Sequence, residues 1–455
     1  MKSIHIGLST NNLSSLLHED AFLNSEGGLT ISGFLLTKEE VVANKFDKPI
    51  FSHSFSGPCL AQMKEGLLTV GSSNHNDQFF CINRAKAKEG AQKLLSILLV
   101  KPASGHFTLN NKRNTTINRT YTGQLIIVAE GSKLRLILHC NLETYVHSVL
   151  RGEIPAYFHD EAIKAQAICA RTYALNPRVN HSNDYCNVCD SYQCCQAFIG
   201  AIETGWSGYA NACNETAGEI LSYKNSPALA LFSSCAGGHT ENYEDCFSDF
   251  ASGAFPPAPI PYLKGISENL DLNPLFDEAY LRTLWQAPEP KTVDSWSKQF
   301  RWSVRLTNEE LEMSLHHNIA SLMQNKQFAP FIVPPKNGLF GEILSFNIGK
   351  RGIGGTAIDL SINTSKGNWK FVKELTIRSL FQNTKPNLKR LASARMFFDQ
   401  QTDKSGNLVN LHIYGLGSGH GVGLQQIGAQ GLAKIGKTYR EILEHYYKNI
   451  VISKI

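Results

Sequence analysis

Apolar and polar positions fall in short blocks over the first 135 or so residues, a pattern that predicts mostly β structure. Strands are expected at 124–128 (Gln-Leu-Ile-Ile-Val) and 134–138 (Leu-Arg-Leu-Ile-Leu), with turn signals at Gly27-Gly28 and Asn110-Asn111. The period then changes. Leu142, Tyr145, Val146 and Val149 recur at i, i+3, i+4 and i+7 behind Asn141, a suitable N-cap, and Gly152 stands where a helix should stop. A second helix is expected from about 160 to 175, with Ile163, Ala167, Ala170 and Ala174 as its apolar stripe. Between the two lies a short joint, Arg151-Gly152-Glu153-Ile154-Pro155. After a Pro-rich stretch at 255–261, residues 265 to about 335 read as helical and carry Trp285, Trp296 and Trp302. Pro334-Pro335 marks a return to strands, including 356–362. A last helix is signed by Thr438 and Glu441 as a capping box, with Tyr439, Ile442, Leu443 and Tyr446 as its stripe.

Composition bounds the reading. With 42% hydrophobic and 18% charged residues, the 455-residue chain is globular rather than disordered, and its length suggests two or three domains. The longest apolar run, 94–100, is far short of the ~20 residues that span a bilayer, so no transmembrane segment is expected. The first residues show no apolar leader region either. The net charge of +5 hides an asymmetry: nine acids face the single base Lys224 between His181 and Tyr262, which leaves the remainder strongly basic. A basic body favours a polyanionic partner. No basic-aromatic interleaving of the nucleic-acid kind is present, so nucleic acid is not the expected partner.

Seven of the eleven cysteines fall between Cys186 and Cys246. Four of them, Cys186-x2-Cys189-x4-Cys194-Cys195, lie within ten residues, a spacing that suits tetrahedral Zn²⁺, with disulfides as the competing reading. Glu153 is a lone acid at the joint, and Lys164 and Arg171 share one face of the following helix, with Gln166 on a neighbouring face. Near the C-terminus, Gly417-Ser418-Gly419-His420-Gly421-Val422-Gly423 suggests backbone approaching a ligand and an accessible imidazole.

Three stretches together resemble the signature of the stage II sporulation protein D family. The first runs from Glu143-Thr144-Tyr145-Val146 through Gly152-Glu153-Ile154-Pro155 to Ala170-Arg171-Thr172-Tyr173-Ala174. The second is Cys195-Gln196 followed by Phe232-Ser233 and Gly237-Gly238-His239-Thr240. The third is Gly419-His420-Gly421-Val422-Gly423 with Gln426, Gly428-Ala429 and Tyr446-Tyr447. The resemblance covers roughly 118–265 and, more weakly, 338–455. It implies that Glu153 falls on the family's catalytic glutamate, and that Lys164, Gln166, Arg171, Ser233 and His420 fall at the glycan. The family's metal loop resembles Cys, four residues, then His-Cys, onto which Cys189, Cys194 and Cys195 fall. Cys194 replaces the usual His, and Cys186 is favoured over His181 for the fourth ligand of a structural zinc.

The implied activity is that of a peptidoglycan lytic transglycosylase. It would cut between N-acetylmuramic acid and N-acetylglucosamine, leaving 1,6-anhydro ends, with Glu153 as single acid and base. The alternative is a non-catalytic glycan-binding enhancer of an N-acetylmuramoyl-L-alanine amidase, so glycan strands and a cell-wall amidase are the expected partners. The expected fold is α+β and two-lobed. It comprises a β-rich region over 1–117, a catalytic unit in two parts (118–265 and 338–455) with helices flanking a groove, and a helical insertion over 266–337. Because the substrate lies outside the cytoplasmic membrane, extracytoplasmic action is expected, by a leader outside this sequence or another export route.

Overall fold

The structure, a computed structural model, describes residues 2–10, 13–73, 79–82, 94–110, 119–200, 207–272, 274–386 and 388–455. It is a mixed α+β fold, as the sequence predicts, and the chain divides into two compact units. The first comprises residues 1–229 and 452–455, the second 230–451.

The first unit is built on an eight-stranded sheet. Along its main path the order is Val188–Cys189, Ser3–Gly7, Lys133–Asn141, Gln124–Glu130, Leu95–Pro102, Leu29–Leu36 and Phe51–Phe55, and Leu17–His18 pairs on Lys133–Asn141. Leu95–Val100 is buried at every position rather than at alternate ones, because this strand lies inside the sheet with both faces covered. Ile97, Leu99, Ile126, Val128 and Ile137 form one apolar cluster on it, joined by Phe34 and the thiol-bearing Cys186. A six-stranded antiparallel sheet accompanies it, and the strand Glu219–Tyr223 forms a small third sheet between Ser226–Pro227 and Val451–Lys454. Of the expected turns, Gly27-Gly28 is observed; Asn110-Asn111 runs into segment 111–118, which lies outside the described residues.

Helices Leu142–Glu153 and Asp160–Leu175 follow the strand Lys133–Asn141 directly. Asn141 caps the first by accepting from the Glu143 N–H, as its position predicts. His159 caps the second through Nδ1, which the sequence did not advertise. Helix Asp160–Leu175 is buried on nearly every side, not on one stripe alone. Its alanines let helix Leu142–Glu153, helix Ser207–Glu215 and strand Glu219–Tyr223 all pack against it.

In the second unit, a three-stranded sheet (Arg301–Thr307, Leu408–Leu416, Met396–Thr402) and a four-stranded one (Ile332–Val333, Gly367–Val372, Asp359–Thr364, Ile343–Ile348) share a core. Helix Asn308–Gln324 contributes Leu311, Leu315 and Ile319 to that core. The segment read as helical therefore holds helices Glu278–Gln286 and Asn308–Gln324 but also the strand Arg301–Thr307, which pairs with Leu408–Leu416. The last helix, Tyr439–Tyr446, has the expected capping box between Thr438 and Glu441.

Candidate functional site

Glu153 is the last residue of helix Leu142–Glu153, half-buried, with Ile154 as the C-cap. The helix thus runs one residue beyond Gly152, which the sequence suggests as its stop. Gly152 is small for another reason: a Cβ there would lie 2.2 Å from the Ala197 carbonyl oxygen. That close approach lets the Ala197 N–H donate to Glu153 Oε1 at 2.6 Å. The strand of chain that makes this bond is pinned on both sides. Gln196 Nε2 donates to the Tyr145 hydroxyl (2.9 Å) and to the Ala170 carbonyl (3.2 Å). The Ile199 N–H donates to Ser148 Oγ at 3.1 Å, and Phe198 stacks on Tyr145 with ring centroids 5.6 Å apart.

Immediately before that segment, His181, Cys189, Cys194 and Cys195 bring four donor atoms within 4.8 Å of one another. His181 Nε2 lies 3.2 Å from Cys195 Sγ and 3.6 Å from Cys194 Sγ. A zinc tetrahedron with Zn–S bonds of ~2.3 Å has edges of about 3.8 Å, so the donor set fits this metal. Nδ1 of the same imidazole faces Asp184 at 3.4 Å, and Asp184 is itself held by Arg135 at 2.7 Å. A carboxylate behind the free ring nitrogen is how metal-bound histidines are oriented.

Electrostatics agree with a cation-binding role. Hydrogen bonds from Cys189 and then Cys195 pull the Cys194 thiol well below its ordinary value, whereas bonds with Cys189 and then Cys194 push Cys195 far up. The Cys189 sulfur raises His181 above its ordinary value. Three sulfurs in one small volume can share a single negative charge through hydrogen bonds. Ionising all three requires a positive ion among them.

The donor cluster takes in His181, whereas Cys186, the expected fourth ligand, lies outside it. The Cys186 thiol is buried in the apolar cluster of the eight-stranded sheet, where desolvation pushes it to about 12. Burial also alters the reading of the three helix positions expected at a glycan groove. Arg171 has no exposed side-chain surface: Nε and Nη2 grip both Glu143 oxygens at 2.9 and 2.6 Å, and Nη1 donates to the Glu219 carbonyl. Gln166 is equally buried, and neither of its amide atoms has a partner among the described residues. Lys164 bridges Glu161 (2.9 Å) and Glu215 (2.6 Å), whose hydrogen bonds raise its amine above the ordinary value. Arg171 and Gln166 are interior groups of the helix packing, and Lys164 is an ion-pair bridge.

Comparison with known proteins adds an independent observation. Residues 130–223, which hold Glu153 and all four donor residues, match the family described as Stage II sporulation protein. Residues 250–423 match a domain of unknown function. The chain is 27% identical over 326 residues to Stage II sporulation protein D of Bacillus subtilis, covering 69% of this chain and 74% of that one. Over residues 130–223 the chain thus resembles the stage II sporulation protein D family. It is also 26% identical over 335 residues to an uncharacterized protein of Brachyspira hyodysenteriae (73% and 72% covered). An amidase enhancer of Bacillus subtilis is 25% identical over 311 residues, 67% of this chain and 40% of that protein.

The remaining expected residues, Ser233 and His420, lie in the second unit. Ser233 Oγ donates to Gln425 Oε1 (2.9 Å) and accepts from the Gly421 N–H (3.1 Å). His420 is half-buried, and both its ring nitrogens are engaged: Nε2 with the Phe232 carbonyl at 3.0 Å, Nδ1 with the Val422 N–H at 3.0 Å. That pattern fixes a neutral ring with its proton on Nε2, and burial pushes the imidazole down to about 4. The imidazole expected to be accessible is a clamp between two chain segments. The glycines around it serve the same closeness: at Gly423, φ is +73° and a Cβ would meet the Leu231 carbonyl at 2.1 Å. Here strand Leu424–Gln425 pairs in parallel with Phe232–Ser233.

Sequence reasoning missed three contributors. Asp184 behind His181 and Glu143 beneath Arg171 are side chains whose partners are set only by the fold. The Ala197 N–H is backbone, which no residue type announces.

Proposed function

We propose that this protein is a peptidoglycan lytic transglycosylase with Glu153 as its single acid and base. Similarity to the stage II sporulation protein D family supports a cell-wall role, and action on a cell-wall polymer would take place outside the cytoplasm. The observation that carries the reading is the aim of one carboxyl: Glu153 Oε1 is held by the Ala197 N–H, two residues after the sulfur of Cys195. An ordinary glycosidase needs two carboxyl groups, because a water or nucleophile must be handled opposite the acid. A lytic cut needs one. Glu153 gives its proton to the glycosidic oxygen as the bond to the N-acetylmuramic acid C1 breaks. The carboxylate so formed takes the proton of that sugar's C6 hydroxyl as its oxygen closes on C1, and the 1,6-anhydro ring results.

His181, Cys189, Cys194 and Cys195 would hold a zinc ion whose coordination sphere they fill, so it supplies cross-linking of the loop rather than an open site for water. Fixing Cys194 and Cys195 fixes the chain that runs on to Ala197, and through it the Glu153 carboxyl. Incubation with purified glycan strands, followed by product mass analysis, tests the reading: the unaltered chain yields anhydro ends and Glu153→Gln yields none. Full cleavage by Glu153→Gln would overturn it. The amidase enhancer among the relatives supports a second reading, a glycan-binding activator. In that case neither chain releases anhydro ends, yet a cell-wall amidase works faster beside both.

A further inference from the structure

Within the second unit, the fold brings together a serine hydroxyl and a lysine amine that the chemistry above leaves unused. Lys373 Nζ donates to Ser248 Oγ at 2.9 Å across 125 residues of sequence. Ser248 lies two residues beyond the short helix Tyr243–Cys246, and Lys373 stands directly before helix Glu374–Leu380. Both side chains are half-buried, close enough to solvent for a substrate to reach.

Two features set this pair apart from a surface contact. Lys373 has φ +75° and ψ 133°, a conformation that a residue with a Cβ adopts only when its surroundings impose it, and such positions gather at functional sites. Its ammonium also lies 4.8 Å from the Phe331 ring centre, and Phe255 meets that ring edge-on at 6.0 Å. Burial there lowers the lysine amine below its ordinary value, against the opposing pull of Glu374 and Cys246. Among the described residues, moreover, the Ser248 backbone N–H has no acceptor.

We propose that Ser248 and Lys373 form an acyl-transfer centre that hydrolyses an ester or amide of an apolar acyl group. In its deprotonated form the Lys373 amine, 2.9 Å from the hydroxyl, takes the hydroxyl proton as Ser248 Oγ bonds to the carbonyl carbon, and the Ser248 N–H receives the oxyanion. The C–O or C–N bond to the leaving group then breaks, and that group takes the proton from Lys373. A water molecule, losing its proton to Lys373, attacks the acyl-serine; the acid departs and the Ser248 hydroxyl is restored with that proton. Serine with lysine as base is an established variant of the serine–histidine arrangement. Phe331 and Phe255 supply the apolar wall for the acyl chain. This centre does not depend on Glu153 or on glycan cleavage.

The test uses the full chain with a fluorophosphonate probe and with p-nitrophenyl butyrate. One adduct is expected, mapped to Ser248 by peptide mass spectrometry, together with release of p-nitrophenol. Ser248→Ala should abolish both. Lys373→Met and Lys373→Arg should slow both at least ~100-fold, since neither side chain offers a base at neutral pH. Thermal unfolding checks that each variant is folded. An unlabelled Ser248 in the folded, unaltered chain would overturn the proposal, as would labelling at an unchanged rate in Lys373→Met.

Discussion

Arg171 offers the sharpest test of whether helix Asp160–Leu175 faces substrate or interior. Its guanidinium has no exposed surface and makes a two-pronged bond to Glu143, whose side chain is 32% exposed. Arg171→Met removes the cation and leaves the carboxylate facing the helix packing. Breaking a buried pair from one side costs ~3–5 kcal/mol. The partial exposure of Glu143 lets water reach it, so the lower end, ~3 kcal/mol, applies. For a domain of this size each kcal/mol lowers the midpoint by ~2–4 °C, which gives a fall of roughly 6–12 °C. Arg171→Met combined with Glu143→Gln should recover part of that loss, because no uncompensated charge remains. Thermal unfolding followed by circular dichroism reads the shifts. Suppose instead that Arg171→Met unfolds within about 1 °C of the unaltered chain while glycan binding drops tenfold. The guanidinium would then be a substrate contact, and the buried-pair argument would fail.

Three further outcomes follow from the same geometry. Elemental analysis of the purified chain should find about one zinc, lost in His181→Ala and kept in Cys186→Ser; the opposite pattern would restore Cys186 as ligand. Gly152→Ala should cut glycan cleavage by ~10–100-fold by displacing Ala197 from Glu153, and the clash of the added Cβ with that backbone should lower the unfolding midpoint as well; undiminished cleavage would show that the Ala197 contact does not position the carboxyl. His420 is pushed from an ordinary 6.5 to about 4 in the folded protein, so the unfolded chain binds the extra proton between those values. Its contribution to stability is complete above about pH 6.5 and is lost as pH falls toward 4; urea midpoints should drop over that window and drop less in His420→Asn.

Much of the local structure could be read directly from residue types. Asn141, Thr438 and Glu441 cap where short-range rules place them, because a cap needs only neighbours two or three residues away. The helix at 160–175 was also legible, but its environment was not. A stripe of alanines marks one apolar face, whereas close packing on several sides of so slim a helix depends on elements up to 50 residues further on. The resemblance, not the stripe, is what sets Arg171, Gln166 and Lys164 at a groove. The candidate metal ligands divide in the same way. Cys189, Cys194 and Cys195 share a loop, so spacing groups them, whereas the choice between His181 and Cys186 turned on which side chain the eight-stranded sheet would claim. At Gly417–Gly423 the glycines correctly signalled backbone at close range, and other stretches of the same chain approach them there.

The return of residues 452–455 to the first unit has a consequence for synthesis. The strand Glu219–Tyr223 keeps one side unpaired until Val451–Lys454 has been made. The whole of 230–451 is therefore translated, and free to fold, while its host still carries an open sheet edge. Such edges invite pairing with other chains. A product cut short just before Val451 would carry its second unit nearly whole and its first unit unsealed, without the seam at which the Ile455 N–H reaches the Gly218 carbonyl at 3.0 Å.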